Sequence, residues 1–132
     1  MLELLVVAVG GGVGAGARFM VDGEIRTRHN GGFPWGTFTV NAVGSFLIGV
    51  FSALISTFSQ VGMLPIDQVR PLQLALMVGL CGGFTTFSTS TMESVRLAQS
   101  GRLRLALANT LGTLTVTIVA AALGVAVGKL FG

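Results

Sequence analysis

Glycine and hydroxyl residues are concentrated in one otherwise apolar stretch, residues 79–91. Gly79, Gly82 and Gly83 follow an apolar run, and six of the seven residues from Thr85 to Thr91 carry a hydroxyl group. Glycines favour a break in a helix, and a break frees carbonyls that suit a small hard cation and N–H groups that suit an anion. At membrane depth such backbone persists only where protein or water covers it. The stretch therefore predicts either a helix-packing device or part of a polar pathway.

A second polar group, Asn41, lies within an apolar run. An amide in hydrocarbon is costly unless it is hydrogen-bonded. One interpretation is a hydrogen bond to another helix. The other is a donor that lines an anion path, and the residue alone does not decide between the two.

A polar stripe is predicted near the C-terminus, where Asn109, Thr113 and Thr117 recur every four residues and so share one helix face. It is either a buried seam or the lining of a narrow passage. Phe84 and Phe87 are three residues apart, which is typical of core packing. Their electropositive ring edges could instead contact an anion.

The chain lacks the residue sets that several classes of activity require. The only histidine, His29, is predicted in a loop, and the single cysteine, Cys81, excludes an intrachain disulfide or a cysteine metal cluster. No serine or cysteine has a plausible base partner, which argues against an enzyme. The eight Lys and Arg residues form no basic stripe, which argues against nucleic-acid binding.

These residues must be positioned by membrane-spanning helices. Of the 132 residues, 52% are hydrophobic and 10% are charged, and the mean hydropathy is +0.83; a soluble domain has about 25% charged residues. Four apolar runs, at about 2–20, 37–58, 71–97 and 103–130, each approach the roughly 20 residues that a span needs. We predict an all-α, multi-pass integral membrane protein of a cell membrane, with one domain over 1–132. The third span contains the glycine and threonine break.

The distribution of charged residues predicts how the chain is oriented in the membrane, and the spacing of glycines predicts how the first span packs. Arg26, Arg28, Arg96, Arg102 and Arg104 all fall at one end of the four predicted spans. The positive-inside rule then predicts that both termini lie outside the cytoplasm. In the first span, glycines four residues apart predict close helix packing; the pairs are Gly10 with Gly14 and Gly12 with Gly16.

Three segments together resemble the Fluc fluoride channels of microbes. They are Gly11–Phe19 (GGVGAGARF), Gly36–Phe46 (GTFTVNAVGSF) and Gly79–Thr89 (GLCGGFTTFST). Chain length and span number agree with that family, and the resemblance covers nearly the whole chain.

The resemblance implies an antiparallel, dual-topology homodimer in membrane lipid, with two separate fluoride pores and one central sodium ion. The sodium would be structural rather than transported, and backbone carbonyls of Gly82 and Thr85 from each subunit would bind it. The pore residues implied on this chain are Asn41, Phe87, Asn109, Thr113 and Thr117. Arg18 and Glu93 are implied as structural or vestibule residues.

Two positions depart from the family pattern. Ser90 stands where the family has a second pore phenylalanine, and Asn109 stands where a tyrosine is common; the chain has no tyrosine. Either the anion path is more hydroxylated, with Ser90 in it, or a different subunit supplies the aromatic ring. The uneven Lys and Arg distribution also leaves a heterodimer with a related chain open beside the homodimer.

The function predicted from these features is passive export of cytoplasmic fluoride through a selective channel. Hydroxyl, amide and aromatic-edge groups can replace the water around a small anion without a fixed counter-charge that traps it. The alternatives are a proton-coupled four-span drug or cation exporter and a non-transporting membrane scaffold. The exporter is disfavoured because no carboxylate lies at mid-membrane, Glu3 being at the very end of its span.

Overall fold

The computed structural model describes residues 1–132 and consists of helices without strands. The helices are α1 (Leu2–Arg28), α2 (Trp35–Gln60), α3 (Ile66–Gln73), a π-helical segment (Leu74–Cys81), α4 (Gly82–Phe84), α5 (Phe87–Gln99) and α6 (Leu103–Phe131). Four stretches are long and apolar enough to cross a membrane: Leu2–Arg28, Trp35–Gln60, Ile66–Gln99 and Leu103–Phe131. The prediction of an all-helical, four-span chain is confirmed. We call Ile66–Gln99 the third span.

The helices continue past the predicted spans into the polar connections. Helix α1 ends at Arg28 rather than near residue 20, and Arg28 pairs with Glu24 at 2.6 Å one turn earlier. Such pairs four residues apart stabilise a helix that hydropathy alone would end. Helix α3 begins at Ile66, ahead of the predicted start at 71, and Arg70 ties it to Glu3 of α1 at 2.8 Å.

Small residues let α2 and α6 approach closely. A Cβ on Gly49 would collide with the Ala121 carbonyl oxygen, and a Cβ on Gly124 would collide with the Phe46 carbonyl oxygen. Close backbone approach at small residues is the usual basis of helix association in membranes. This pair forms the most extensive helix contact in the subunit.

The first span packs on the third through part of its glycine run. A Cβ on Gly14 would collide with the Leu80 carbonyl oxygen, and a Cβ on Gly10 would lie 2.6 Å from the Ala75 carbonyl oxygen. The packing prediction is confirmed for this pair. Gly12 and Gly16 have no neighbour within 4 Å of an added Cβ, so they serve no packing contact inside the subunit.

The third span changes its backbone conformation twice. Its middle is π-helical from Leu74 to Cys81, a form that is rare and often found at functional sites. Thr85 (φ −82°, ψ 161°) and Thr86 (φ −151°, ψ 114°) are then extended, and α5 begins at Phe87. Two residues of non-helical backbone therefore separate α4 from α5.

Little of the subunit is enclosed by itself. Only 17 of 132 residues are buried, and large apolar side chains such as Leu111, Leu114 and Ile118 on α6 are exposed. Lipid or another protein surface must cover these faces, as expected of a multi-pass membrane protein.

Candidate functional site

Asn41 holds the extended residue Thr86 by two hydrogen bonds. The amide nitrogen Nδ2 donates to the Thr86 carbonyl at 3.0 Å, and the Thr86 N–H donates to Asn41 Oδ1 at 2.7 Å. Asn41 is 6% exposed, so both bonds form away from solvent. The side chain satisfies both backbone polar groups of Thr86.

Thr85 is fixed from three sides. Its N–H and its hydroxyl both donate to the Cys81 carbonyl, at 2.9 and 3.0 Å, and its own carbonyl accepts from Arg18 Nη1 at 3.2 Å. Its methyl group lies against Gly44, where an added Cβ would collide with Thr85 Cγ2. The position of Thr85 therefore depends on glycine at position 44 of α2.

Thr86 also caps the helix that follows. The Thr89 N–H donates to Thr86 Oγ1 at 3.3 Å, and the Thr86 hydroxyl donates to Thr89 Oγ1 at 3.0 Å. This is the arrangement expected of an N-cap threonine. In a continuous α-helix the Thr86 N–H would bond the Gly82 carbonyl. Because it bonds Asn41 instead, the Gly82 carbonyl lacks that partner.

A groove of about 800 Å³ opens beside the interruption, between α2, α5 and α6. We call it the hydroxyl groove. Its polar lining is Asn41, Ser45, Thr85, Thr86, Ser90, Thr91, Ser94, Thr110, Thr113 and Thr117; Phe87 also lines it, and no charged residue does. The fold thus brings the predicted pathway residues Asn41, Phe87, Ser90, Thr113 and Thr117 to one surface.

Asn109 is the predicted pathway residue that does not line the groove. It is fully buried, and its Nδ2 donates to the Ser90 carbonyl at 3.2 Å and to Ser94 Oγ at 2.9 Å. These bonds join α6 to α5. The predicted stripe still shares one face, because Thr113 Oγ1 donates to Asn109 Oδ1 at 3.5 Å and Thr117 Oγ1 donates to the Thr113 carbonyl at 2.7 Å.

The two phenylalanines differ in their surroundings. Phe87 is 86% exposed, opens α5 and lines the hydroxyl groove. Phe84 is only partly exposed, and its ring lies beside Gly44 of α2. Phe87 is thus free to contact an ion or a second subunit, whereas Phe84 packs within the subunit.

The charged residues near the ends of the first and third spans fall into two groups. Arg26, Asp22 and Glu93 form a cluster, and Arg18 makes a separate contact. Arg26 pairs with Asp22 at 2.9 Å and with Glu93 at 2.6 Å, and Glu93 Oε2 is buried without a partner. Arg18 stays apart from this cluster and reaches the Thr85 carbonyl instead. The geometry thus gives Arg18 and Glu93, which the resemblance implies as structural or vestibule residues, different partners.

Sequence reasoning missed several polar residues at the site. Thr37, which is 1% exposed and has no partner for Oγ1, shares a cavity of about 290 Å³ with Arg18 and Thr86. Its position four residues before Asn41, on the same helix face, was the available signal. Ser94 was missed likewise, although it stands four residues after Ser90.

No group of three or more His, Cys, Asp or Glu side chains is placed to hold a metal ion.

Comparison with known proteins agrees with the motifs. Residues 5–125 match the family described as "CrcB-like protein, Camphor Resistance (CrcB)". A "Fluoride-specific ion channel FluC" from Magnetococcus marinus is 40% identical over 129 residues, which cover 98% of this chain and 99% of the relative. A "Fluoride-specific ion channel FluC 1" from Frankia casuarinae is 38% identical over 128 residues, 97% of each chain. A further "Fluoride-specific ion channel FluC 1", from Leifsonia xyli subsp. xyli, is 41% identical over 129 residues, 98% of this chain and 88% of the relative.

The family match covers most of the chain, and these relatives carry the name of the channels that the three motifs resemble, so the resemblance is confirmed. This chain belongs to the CrcB-like protein family.

Proposed function

We propose that this protein is a passive, fluoride-selective channel that lets cytoplasmic fluoride leave the cell. The observation that carries the proposal is the hydroxyl groove, where hydroxyl and amide side chains converge and no charged residue lies. The names of the relatives support fluoride as the ion. The chain acts as a channel and not as an enzyme.

The groove suits an anion that must bind and leave quickly. A dehydrated fluoride ion needs several donors, and fixed positive charge would hold it too tightly. Hydroxyl groups of Thr113 and Thr117 lie one turn apart on α6, and a hydroxyl hydrogen rotates to suit its acceptor. The Thr113 bond to Asn109 is long, at 3.5 Å, so this hydroxyl is the one most easily turned toward an ion.

The direction of flow follows from acid–base chemistry. Fluoride enters as uncharged HF, ionises at cytoplasmic pH, and leaves as the anion through the groove down its gradient. No proton step is required of the protein.

We propose that the extended pair Thr85–Thr86 is the functional break of the third span, and that two subunits pair in antiparallel orientation there. Gly82 lies at the surface beside the break, and much of the apolar surface is uncovered in one subunit. A homodimer with two separate pores fits these features. The excess of arginine at one end supports the heterodimer as the second arrangement.

A central sodium ion fits the backbone at the break. The Gly82 carbonyl lacks its α-helical donor, and the Thr85 carbonyl accepts one bond from Arg18 and keeps a second lone pair. Two carbonyls are fewer than a hard cation normally binds, so a second subunit would complete the site. Sodium bound there would link the subunits without being transported.

The rival functions find less support in the geometry. A proton-coupled exporter needs an ionisable group on its path, and the nearest candidate, Glu93, pairs with Arg26 outside the groove. A packing scaffold explains the glycines but not the convergent hydroxyl groups. Ion flux in liposomes containing only this chain separates all three, because only the channel releases fluoride without a proton gradient.

A further inference from the structure

A second cavity, of about 610 Å³, lies at the arginine-rich end of the helices. It is enclosed by the last turn of α1, the α1–α2 connection, the start of α2, the last turn of α5 and Arg102. We call it the arginine cavity; its principal side chains are Arg26, His29, Trp35, Glu93, Arg96 and Arg102. It is separate from the hydroxyl groove, with which it shares no lining residue.

The charges in this cavity do not balance. Arg26 is neutralised by Asp22 and Glu93, at 2.9 and 2.6 Å. Arg96 and Arg102 take part in none of the ion pairs of the subunit. Arg96 and Arg102 therefore have no ion-pair partner, and the three arginines exceed the two carboxylates by one positive charge. A guanidinium group without a carboxylate partner matches the charge and the planar geometry of a phosphate.

The cavity is built around one of these guanidinium groups. A Cβ on Gly32 would collide with Arg102 Nη1, so the glycine leaves the space that the guanidinium occupies. The volume lies within the roughly 300–1,000 Å³ range of small-molecule pockets, so it can hold a group as large as a phospholipid headgroup.

Aromatic side chains place the cavity at the level of lipid headgroups. Trp35 and Phe33 both line it, with ring centroids 4.6 Å apart, and Phe38 stacks edge-on to Trp35. Tryptophan is enriched where a span meets the membrane–water interface. With Trp35 at that interface, Arg96 and Arg102 would lie at the depth of the lipid phosphates.

We propose that the arginine cavity is a binding site for the headgroup of an anionic phospholipid, whose phosphodiester is held between Arg96 and Arg102 beside Trp35. We expect a lipid rather than soluble phosphate as the ligand, because the cavity opens at the end of the spans, at the depth of the lipid headgroups. It does not depend on the proposed ion pathway.

The test measures lipid bound to the full-length protein. The protein is equilibrated with equimolar phosphatidylglycerol and phosphatidylcholine, and retained lipids are counted by native mass spectrometry. Wild type should prefer phosphatidylglycerol by about fivefold or more, the contribution expected of one arginine near an anionic surface. The double variant Arg96→Gln/Arg102→Gln should lose the preference.

The matched control is the double variant Arg28→Gln/Arg104→Gln, which also removes two positive charges at the same end of the molecule, but outside the cavity. It should keep the preference. The proposed site would be overturned if the control lost its preference for phosphatidylglycerol to the same extent, or if Arg96→Gln/Arg102→Gln kept that preference. If inorganic phosphate at equal concentration displaced the lipid, the cavity would be a site for a soluble anion, and the proposal of a lipid ligand would be wrong.

A second measurement needs no variant. Trp35 is the only tryptophan, so the intrinsic fluorescence of the wild-type protein reports on this cavity. Brominated phosphatidylglycerol should quench it at a several-fold lower mole fraction than brominated phosphatidylcholine. Equal quenching by the two lipids would contradict the proposal. Both readouts are independent of fluoride flux, so either proposal can fail without the other.

Discussion

Asn41 acts on the extended residue Thr86 as a neighbouring strand would, with one donor and one acceptor. The bonds of 3.0 and 2.7 Å use Nδ2 and Oδ1, and the second amide hydrogen stays available at the groove surface. The two interpretations of this residue, an interhelical bond and a pathway donor, are therefore compatible. The first is observed, and the second remains a prediction.

Asn41→Asp should abolish fluoride flux, with at least about a hundredfold loss, while assembly is largely kept. An ionised carboxylate still accepts from the Thr86 N–H, but it offers no donor and repels both the Thr86 carbonyl and an anion. The measurement is initial fluoride efflux from liposomes. Asn30→Asp, the same change in an exposed loop, serves as the control. Flux at the wild-type rate in Asn41→Asp would exclude the pathway role.

Phe87→Ala should reduce flux more than Phe84→Ala, and the order should reverse for stability. Phe87 is exposed beside the groove, so its removal costs little packing in the subunit. Phe84 packs near Gly44, and truncating a packed phenylalanine leaves a cavity. Efflux rates and thermal melting of both variants provide the comparison. A larger flux loss in a stable Phe84→Ala protein would show that the wrong ring was assigned to the path.

At the scale of the element, contacts from α1 and α2 stabilise the extended residues that interrupt the third span. Arg18 of α1 bonds the Thr85 carbonyl, Asn41 of α2 bonds Thr86, and Gly44 leaves room for the Thr85 methyl group. An interruption supported by two other helices can persist in apolar surroundings because its free backbone groups are paired.

Gly44→Ala should displace Thr85 and lower both flux and melting temperature. The new methyl group would overlap Thr85 Cγ2, and crowding of this kind costs about 1–3 kcal/mol. Gly112→Ala is the control, since its Cβ would meet only Phe38 Cε2 at an ordinary 3.5 Å. A Gly44→Ala protein with wild-type melting and flux would show that the interruption does not depend on this contact.

Gly82→Ala tests the sodium proposal at the same element. An added Cβ would meet only the Met77 carbonyl oxygen, at 3.9 Å, so alanine fits without collision. Alanine favours helix over glycine by about 1 kcal/mol, which favours returning the Gly82 carbonyl to internal bonding. We expect wild-type activity to require sodium, with potassium a poor substitute, and this variant to weaken that requirement or the dimer.

Thr85→Val is the companion variant, because it removes only the hydroxyl bond to Cys81 and leaves the Thr85 carbonyl in place. Its sodium requirement should be unchanged. Full wild-type activity in sodium-free buffer, with no ion between paired third spans at high resolution, would refute the proposal.

At the scale of the whole molecule, the spans follow from hydropathy, and part of the glycine packing follows from small-residue spacing. The four helices and the packing of Gly10 and Gly14 were predictable on that basis. The lengths of the helices were not, because ion pairs such as Arg28 with Glu24 extend them into polar sequence.

Much of the site's detail was beyond sequence reasoning because it depends on contacts between distant residues. Asn109 shares a helix face with Thr113, as predicted, yet it turns toward Ser90 and Ser94 of α5 and is fully buried. Arg18 was implied only as a structural or vestibule residue, and its bond to a carbonyl 67 positions away follows from no local pattern. Periodicity gives the face of a helix, but not which neighbour that face meets.

The central claim is that this chain alone forms a passive fluoride path. The most direct measurement is fluoride release from liposomes that contain only this protein, followed with a fluoride electrode. The account predicts rapid release in sodium buffer, much slower release of chloride, and no change when a proton gradient is collapsed. No fluoride release from correctly folded protein, or release that requires a proton gradient, would contradict it.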